Sequence, residues 1–278
     1  MFKALIADDE DFIIDGLRAI LPWEQWALAA NLIAAVVAGL IAALIVAILR
    51  RAGLSWYVTI VVALLPVIAP MSGLEAINAI GSSYMLLLFA STLALLFAPE
   101  RGRGWTVLVG ALLLVTSLTI PSSVVLLAVL VMQASRRALN RVTAVIWAGA
   151  LVLGLIVQAV VALTASTQRP IQLTGESLQA WADSVPVSLL TYWPGLSIGE
   201  YSFFTNFSLS PLSWTGWLVV AAIFALGLAK LIAGWRSLET ASTSIGLLLL
   251  AGLAFGLIPS AIGYTNNRYF VVPLLLWG

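Results

Sequence analysis

Three groups of residues in this sequence combine types that could do chemistry. The first is Asp8, Asp9, Glu10 and Asp11, four consecutive carboxylates just ahead of an amphipathic stretch. The second is an aromatic segment carrying Arg169, Glu176, Trp181, Asp183, Tyr192, Trp193, Glu200 and Tyr201. Aromatic faces beside carboxylates suit sugars, because rings stack on pyranose faces while carboxylates accept from hydroxyls. The same mixture also suits plain interfacial helices. The third is Tyr264, Asn266, Asn267, Arg268 and Tyr269, pinched between apolar runs. An arginine held at a membrane surface is a good phosphate ligand, since its planar fork matches phosphate oxygens. The competing reading is a helix end anchored by Arg268 in lipid headgroups.

What the chain lacks narrows the chemistry further. It has no Cys and no His. Thiolate nucleophiles, imidazole bases, disulfides and Cys/His metal sites are therefore excluded together. No cofactor is predicted; a divalent cation at an outer-face carboxylate cluster would have to be held by oxygen ligands alone. Net charge is +1, so no overall field points to nucleic acid as a partner.

The elements that must position these groups are membrane helices. Of 278 residues, 62% are hydrophobic and 9% charged. Soluble domains carry about 25% charged residues, and a water-soluble fold could not hide this much apolar surface. The expected fold class is all-α, a polytopic transmembrane bundle. Apolar runs at 26–49, 54–70, 84–98, 105–118, 122–134, 142–163, 214–234 and 244–262 give eight crossings. A ninth run, 270–278, is too short to span and reads as a truncated last helix. The 84–98 run is expected to extend back into the polar connection 71–83. The runs on either side of Thr119-Ile120-Pro121 are short. They fit two tilted helices in a thin bilayer, or a hairpin of half-helices lining a cavity. Asn31, Gln133 and Gln158 read as helix–helix hydrogen-bonding residues. Trp217 and the other tryptophans near span ends read as an aromatic belt.

Charge sets the expected orientation. With each run counted as one crossing, Arg50, Arg51, Arg101, Arg103, Arg136, Arg137, Arg141, Lys230 and Arg236 fall on one side, nine of the 13 basic residues. Ten of the 12 acidic residues fall on the other. The positive-inside rule makes the first side cytoplasmic and puts the N-terminus, the 71–83 connection, the large loop at 164–213 and 263–269 on the outer face of a plasma (inner) membrane.

Residues 1–25 stand apart as a separate segment from the transmembrane domain at 26–278. Residues 2–7 read as a short strand and Phe12 to Leu21 as an amphipathic helix. The stretch LIADDEDFIIDGLRAILPWEQW resembles the opening of a receiver domain of two-component response regulators. There, an acidic cluster matched by Asp8 and Asp9 binds Mg²⁺ beside a phosphoaccepting Asp. The other strands, that Asp and the later Lys have no counterpart, and one strand cannot bury itself. No receiver activity is expected. The segment reads as a fusion scar, a spliced fragment or an acidic helix on the outer interface.

From Trp26 onward the chain resembles the Ala/Leu/Val-rich multispan proteins of actinobacteria grouped with GT-C-type glycosyltransferases. The points of match are the alternating spans, the 71–83 loop with Glu75 and Asn78, the helix pair broken at TSLTIPSS, the aromatic outer loop and NNRYFVVPLLLW. The resemblance implies membrane lipid as surroundings and a polyprenyl-phosphate sugar as donor for inverting transfer. It implies an outer-face acid as catalyst, a place occupied here by Asp8 or Asp9. It also implies substrate contacts from Glu75, Asn78, Trp181, Asp183, Trp193, Asn267, Arg268 and Tyr269. The family's first span and first outer loop have no counterpart, so this chain is expected to be an inactive fragment. Two other classes compete: a transporter-like or structural membrane protein, and a signalling protein. Charges buried in mid-span and repeated halves would mark a transporter. The nearest mid-span charge is Lys230, close enough to the end of its run to snorkel, and the sequence shows no clear repeat.

Overall fold

The computed structural model describes residues 26–68, 80–97, 102–136, 139–164, 175–187, 213–237, 240–261 and 276. Every element among them is helical: α1 (Trp26–Arg51), α2 (Trp56–Ile68), α3 (Ile80–Phe97), α4 (Arg103–Thr119), a 3₁₀ turn (Pro121–Ser123), α5 (Val124–Ser135), α6 (Arg141–Thr164), α7 (Gly175–Val187), α8 (Ser213–Ser237) and α9 (Thr240–Ala261). The all-α class is as expected. Each of the eight apolar runs lies largely in a helix, and α3 does begin before 84. Three helices are long and apolar enough to cross a membrane, at Leu32–Arg51, Arg141–Val161 and Gly216–Arg236. The others are shorter apolar helices, apart from α7. The strand expected at residues 2–7 lies outside the described residues.

The surface is what an apolar solvent requires. Leu40 is 66% exposed, Val145 70% and Leu218 67%. Leucine and valine so exposed along whole helices would be unstable against water and cost nothing against lipid.

The chain divides into two compact units, one built from α1–α6 and the other from α7–α9. In the first, α3 is the central helix. Met85, Leu86, Leu88, Phe89, Ala90, Leu93, Ala94 and Leu95 are all buried, as a helix that is apolar all round demands. Its buried hydroxyls are satisfied: Ser91 shares a 2.7 Å hydrogen bond with Thr116 of α4, and Thr92 donates to the Leu88 carbonyl at 2.8 Å. Helix α1 ends in a Schellman motif. The Leu54 N–H reaches the Leu49 carbonyl at 3.2 Å, the Gly53 N–H reaches Arg50 at 3.1 Å, and Gly53 adopts φ 84°. Only glycine takes that conformation without strain, which is why the chain turns there.

Helices α4 and α5 meet at the break around Pro121, and both pack on α6. The Trp147 indole N–H donates to the Thr106 carbonyl at 3.0 Å, and Thr106 and Thr143 hydroxyls meet at 3.4 Å. Further along, Ser117 donates to the Ala150 carbonyl at 3.4 Å and abuts Gly154. Rising numbers in α4 meet rising numbers in α6, so the two helices run parallel. Parallel neighbours need a return element between them, and α5 is that element. The break itself leaves little backbone unsatisfied. Ile120 is extended (φ −128°, ψ 114°), yet its N–H still reaches the Thr116 carbonyl at 2.9 Å. The Thr119 hydroxyl donates to the Val115 and Thr116 carbonyls, and the Ser123 N–H donates to Ile120. Satisfied backbone is the condition for irregular structure at membrane depth.

In the second unit α8 and α9 are antiparallel and meet backbone to backbone. A Cβ on Gly246 would lie 2.7 Å from the Gly227 carbonyl oxygen and from the Leu231 nitrogen. Small residues at a crossing let helices gain van der Waals contact where lipid supplies no hydrophobic drive.

Candidate functional site

The aromatic segment contains a helix that the sequence conceals. Residues Gly175–Val187 form α7 rather than loop. Trp181, Ala182 and Val185 face a small core completed by Val220 of α8 and Leu253 of α9. The opposite side carries exposed Glu176. Helix α7 seats on the first turns of α8 because residue 216 is glycine: a Cβ there would lie 2.7 Å from the Ala182 carbonyl carbon and 3.0 Å from the Asp183 Cα.

That close seating assembles a polar chain. The Trp217 indole N–H donates to Gln179 Oε1 at 2.6 Å, and Gln179 Nε2 donates to Asp183 Oδ1 at 2.8 Å. Gln179 and Asp183 are four residues apart, so one helical face presents both. The Trp181 and Trp217 rings meet edge to face, 6.2 Å between centroids and 72° between planes. Asp183 is 7% exposed and Trp181 6%, whereas Trp217 is 38% exposed. The arrangement is an ordered carboxylate behind an accessible indole. A carboxylate can accept several hydrogen bonds, and Gln179 supplies one of them. Gln179 holds the nearly buried Asp183 carboxylate, and the Trp217 ring is the part of the arrangement open to a ligand.

Of the residues singled out in the sequence, Trp181 and Asp183 are brought together here. Asp8, Asp9, Glu75, Asn78, Trp193, Asn267, Arg268 and Tyr269 lie outside the described residues. Two members of the site come from outside that set. Gln179 carries a signal in its spacing from Asp183. Trp217 looks like an interfacial belt residue in the sequence, and its partner across α7 is invisible to a linear reading. Among the described residues no group of three His, Cys, Asp or Glu gathers to hold a metal ion. The acidic cluster at 8–11 lies outside them. Comparison with family models, with curated proteins and with solved structures returned no match to the chain.

Proposed function

We propose that the chain is a multi-pass plasma-membrane protein with about eight crossings, of GT-C glycosyltransferase type, binding a polyprenyl-phosphate sugar on its outer face. The observation that carries this reading is the ordered Trp217–Gln179–Asp183 chain packed on Trp181, seated against the membrane-length helix α8. An indole face and a fixed carboxylate at the end of a span are the groups a lipid-borne sugar would need. In the reaction of that type, an outer-face carboxylate, at the place Asp8 or Asp9 occupies here, takes the proton of an acceptor hydroxyl. The hydroxyl oxygen attacks the anomeric carbon, and the bond from that carbon to phosphate oxygen breaks with inversion. Arg268 stabilises the charge on the departing polyprenyl phosphate, with Asn267 and Tyr269 beside it and Glu75, Asn78 and Trp193 as further substrate contacts.

Binding tests this without requiring turnover. Hydrogen bonds to charged groups contribute roughly 1.5–3 kcal/mol. Arg268→Ala is therefore expected to weaken binding of a short-chain polyprenyl phosphate to detergent-solubilised protein by about one to two orders of magnitude. Arg268→Lys should recover only part, because an ammonium lacks the bidentate fork. Arg169→Ala, in the long polar stretch of sequence at 164–213, should matter less. If Arg268→Ala binds as tightly as the parent, Arg268 is a headgroup anchor and the reading loses its phosphate ligand.

A further inference from the structure

The described part of the first unit contains five arginines, Arg50, Arg51, Arg103, Arg136 and Arg141, and no Asp or Glu. The fold collects these charges at one end. Helices α4 and α6 run parallel in register, Thr106 beside Thr143, so Arg103 and Arg141 occupy neighbouring first positions. The last turn of α1 reaches the same place: the Arg51 guanidinium lies 4.1 Å from the Trp105 ring centroid. Helix α5 returns to this end and finishes at Arg136. The starts of α4 and α6 share this end with the C-termini of α1 and α5, so the helix dipoles offset one another and the arginines set its charge. Among the described residues of this unit no acid accompanies them, and Arg136 already has an interaction of its own.

Arg50 is engaged elsewhere, donating to the Leu54 carbonyl at 2.8 Å and lying over Trp56. The first turn of α6 is capped by Asn140, whose side chain accepts from the Thr143 N–H at 3.0 Å. The first turn of α4 has no such cap: Gly102, at φ 81°, contributes no side-chain hydrogen bond. Among the described residues nothing covers its backbone, since a Cβ on Gly102 or Gly104 would meet nothing within 4 Å. Within that turn the Trp105 side chain is 5% exposed, and its indole N–H has no hydrogen-bond partner. An uncapped helix start, an unspent buried donor and the arginines around it are the parts of a phosphate site.

We infer that the α1–α4–α6 end of this unit binds the phosphate of an anionic phospholipid headgroup through Arg51, Arg103, Arg141 and the Trp105 indole N–H. The source is lipid because strongly exposed Val107, Val142 and Val145 continue directly from the arginines along α4 and α6. An anion carrying acyl chains gains contact on those faces, and a free one does not.

The test is native mass spectrometry of the whole purified chain in neutral detergent. It is offered equal amounts of dioctanoyl phosphatidylglycerol and dioctanoyl phosphatidylcholine. The parent should retain phosphatidylglycerol in preference. Each arginine near an anionic headgroup is worth about fivefold in affinity, so Arg103→Gln with Arg141→Gln should weaken phosphatidylglycerol about 25-fold and leave phosphatidylcholine unchanged. Trp105→Phe keeps a ring under Arg51 and removes only the donor; a loss of about fivefold is expected there. It stands in if the double variant does not fold. Lys230→Gln with Arg236→Gln removes two charges from the other unit and should change nothing. Phosphatidylglycerol binding that survives both the arginine pair and Trp105→Phe would overturn the site. So would an equal loss in the Lys230/Arg236 control. Displacement by an equal concentration of inorganic phosphate would overturn the lipid assignment.

Discussion

Gly216→Leu is expected to unseat α7 from α8 and to lower stability by about 3 kcal/mol. The reason is that the side chain has nowhere to go. A Cβ at 216 would press on the Ala182 carbonyl, 2.7 Å from its carbon, and lie 3.0 Å from the Asp183 Cα. All are backbone atoms, so no rotamer change relieves the overlap, and the whole of α7 must move. Moving it separates Trp217 from Gln179 and opens the Trp181–Trp217 contact, so the polar chain is lost with the packing. Gly216→Ala should already cost about 1–3 kcal/mol. Gly175→Ala is the control: a Cβ there meets nothing within 4 Å, and a change within about 0.5 kcal/mol is expected. Thermal unfolding of the purified protein in one detergent reads all three. A Gly216→Leu protein that melts with the parent would mean that α7 does not lie on α8 as described.

The second large effect belongs to the parallel pair α4–α6. A Cβ on Gly154 would lie 2.8 Å from the Ser117 Cβ and 2.9 Å from its carbonyl carbon. Gly154→Leu should therefore force α6 away from α4 and lower stability by about 3 kcal/mol. Adding Ser117→Gly removes the side-chain overlap but leaves the carbonyl carbon in place, so rescue should be partial. Gly149 is on the same helix and exposed, and a Cβ there would meet nothing within 4 Å; Gly149→Leu should be tolerated. Full rescue by Ser117→Gly would show that the side chain alone sets the spacing.

These two crossings also mark what a linear reading reaches and what it does not. The spans are legible because lipid leaves so few options. An apolar run whose backbone must satisfy itself is a helix, and Trp26–Arg51, Arg141–Thr164 and Ser213–Ser237 follow directly from composition. The end of α1 is legible in Gly53. Helix α7 is not, because Glu176, Gln179 and Asp183 interrupt its apolar pattern and its core is a small cluster around Trp181. The hairpin reading of 105–134 and the tilted-helix reading look alike in sequence. Both fit the parallel α4–α6 pair, whose contacts join residues about 35 apart, such as Thr106 with Thr143, and no periodicity encodes those. Within the site, spacing links Gln179 to Asp183, whereas Trp217 enters only through the glycine that lets α8 come close.

The orientation of the spans underlies both the outer-face sugar reading and the headgroup site at the arginine end. It is tested most directly by single-cysteine labelling, for which the chain offers a clean background because it contains no cysteine. In intact cells, cysteines at Ser55, Ser135 and Ser237 should be protected from an impermeant thiol reagent, and cysteines at Ser82, Ser177 and Thr265 should be labelled. Labelling at Ser55, Ser135 and Ser237 with protection at the other three would invert the protein in the membrane and contradict the account.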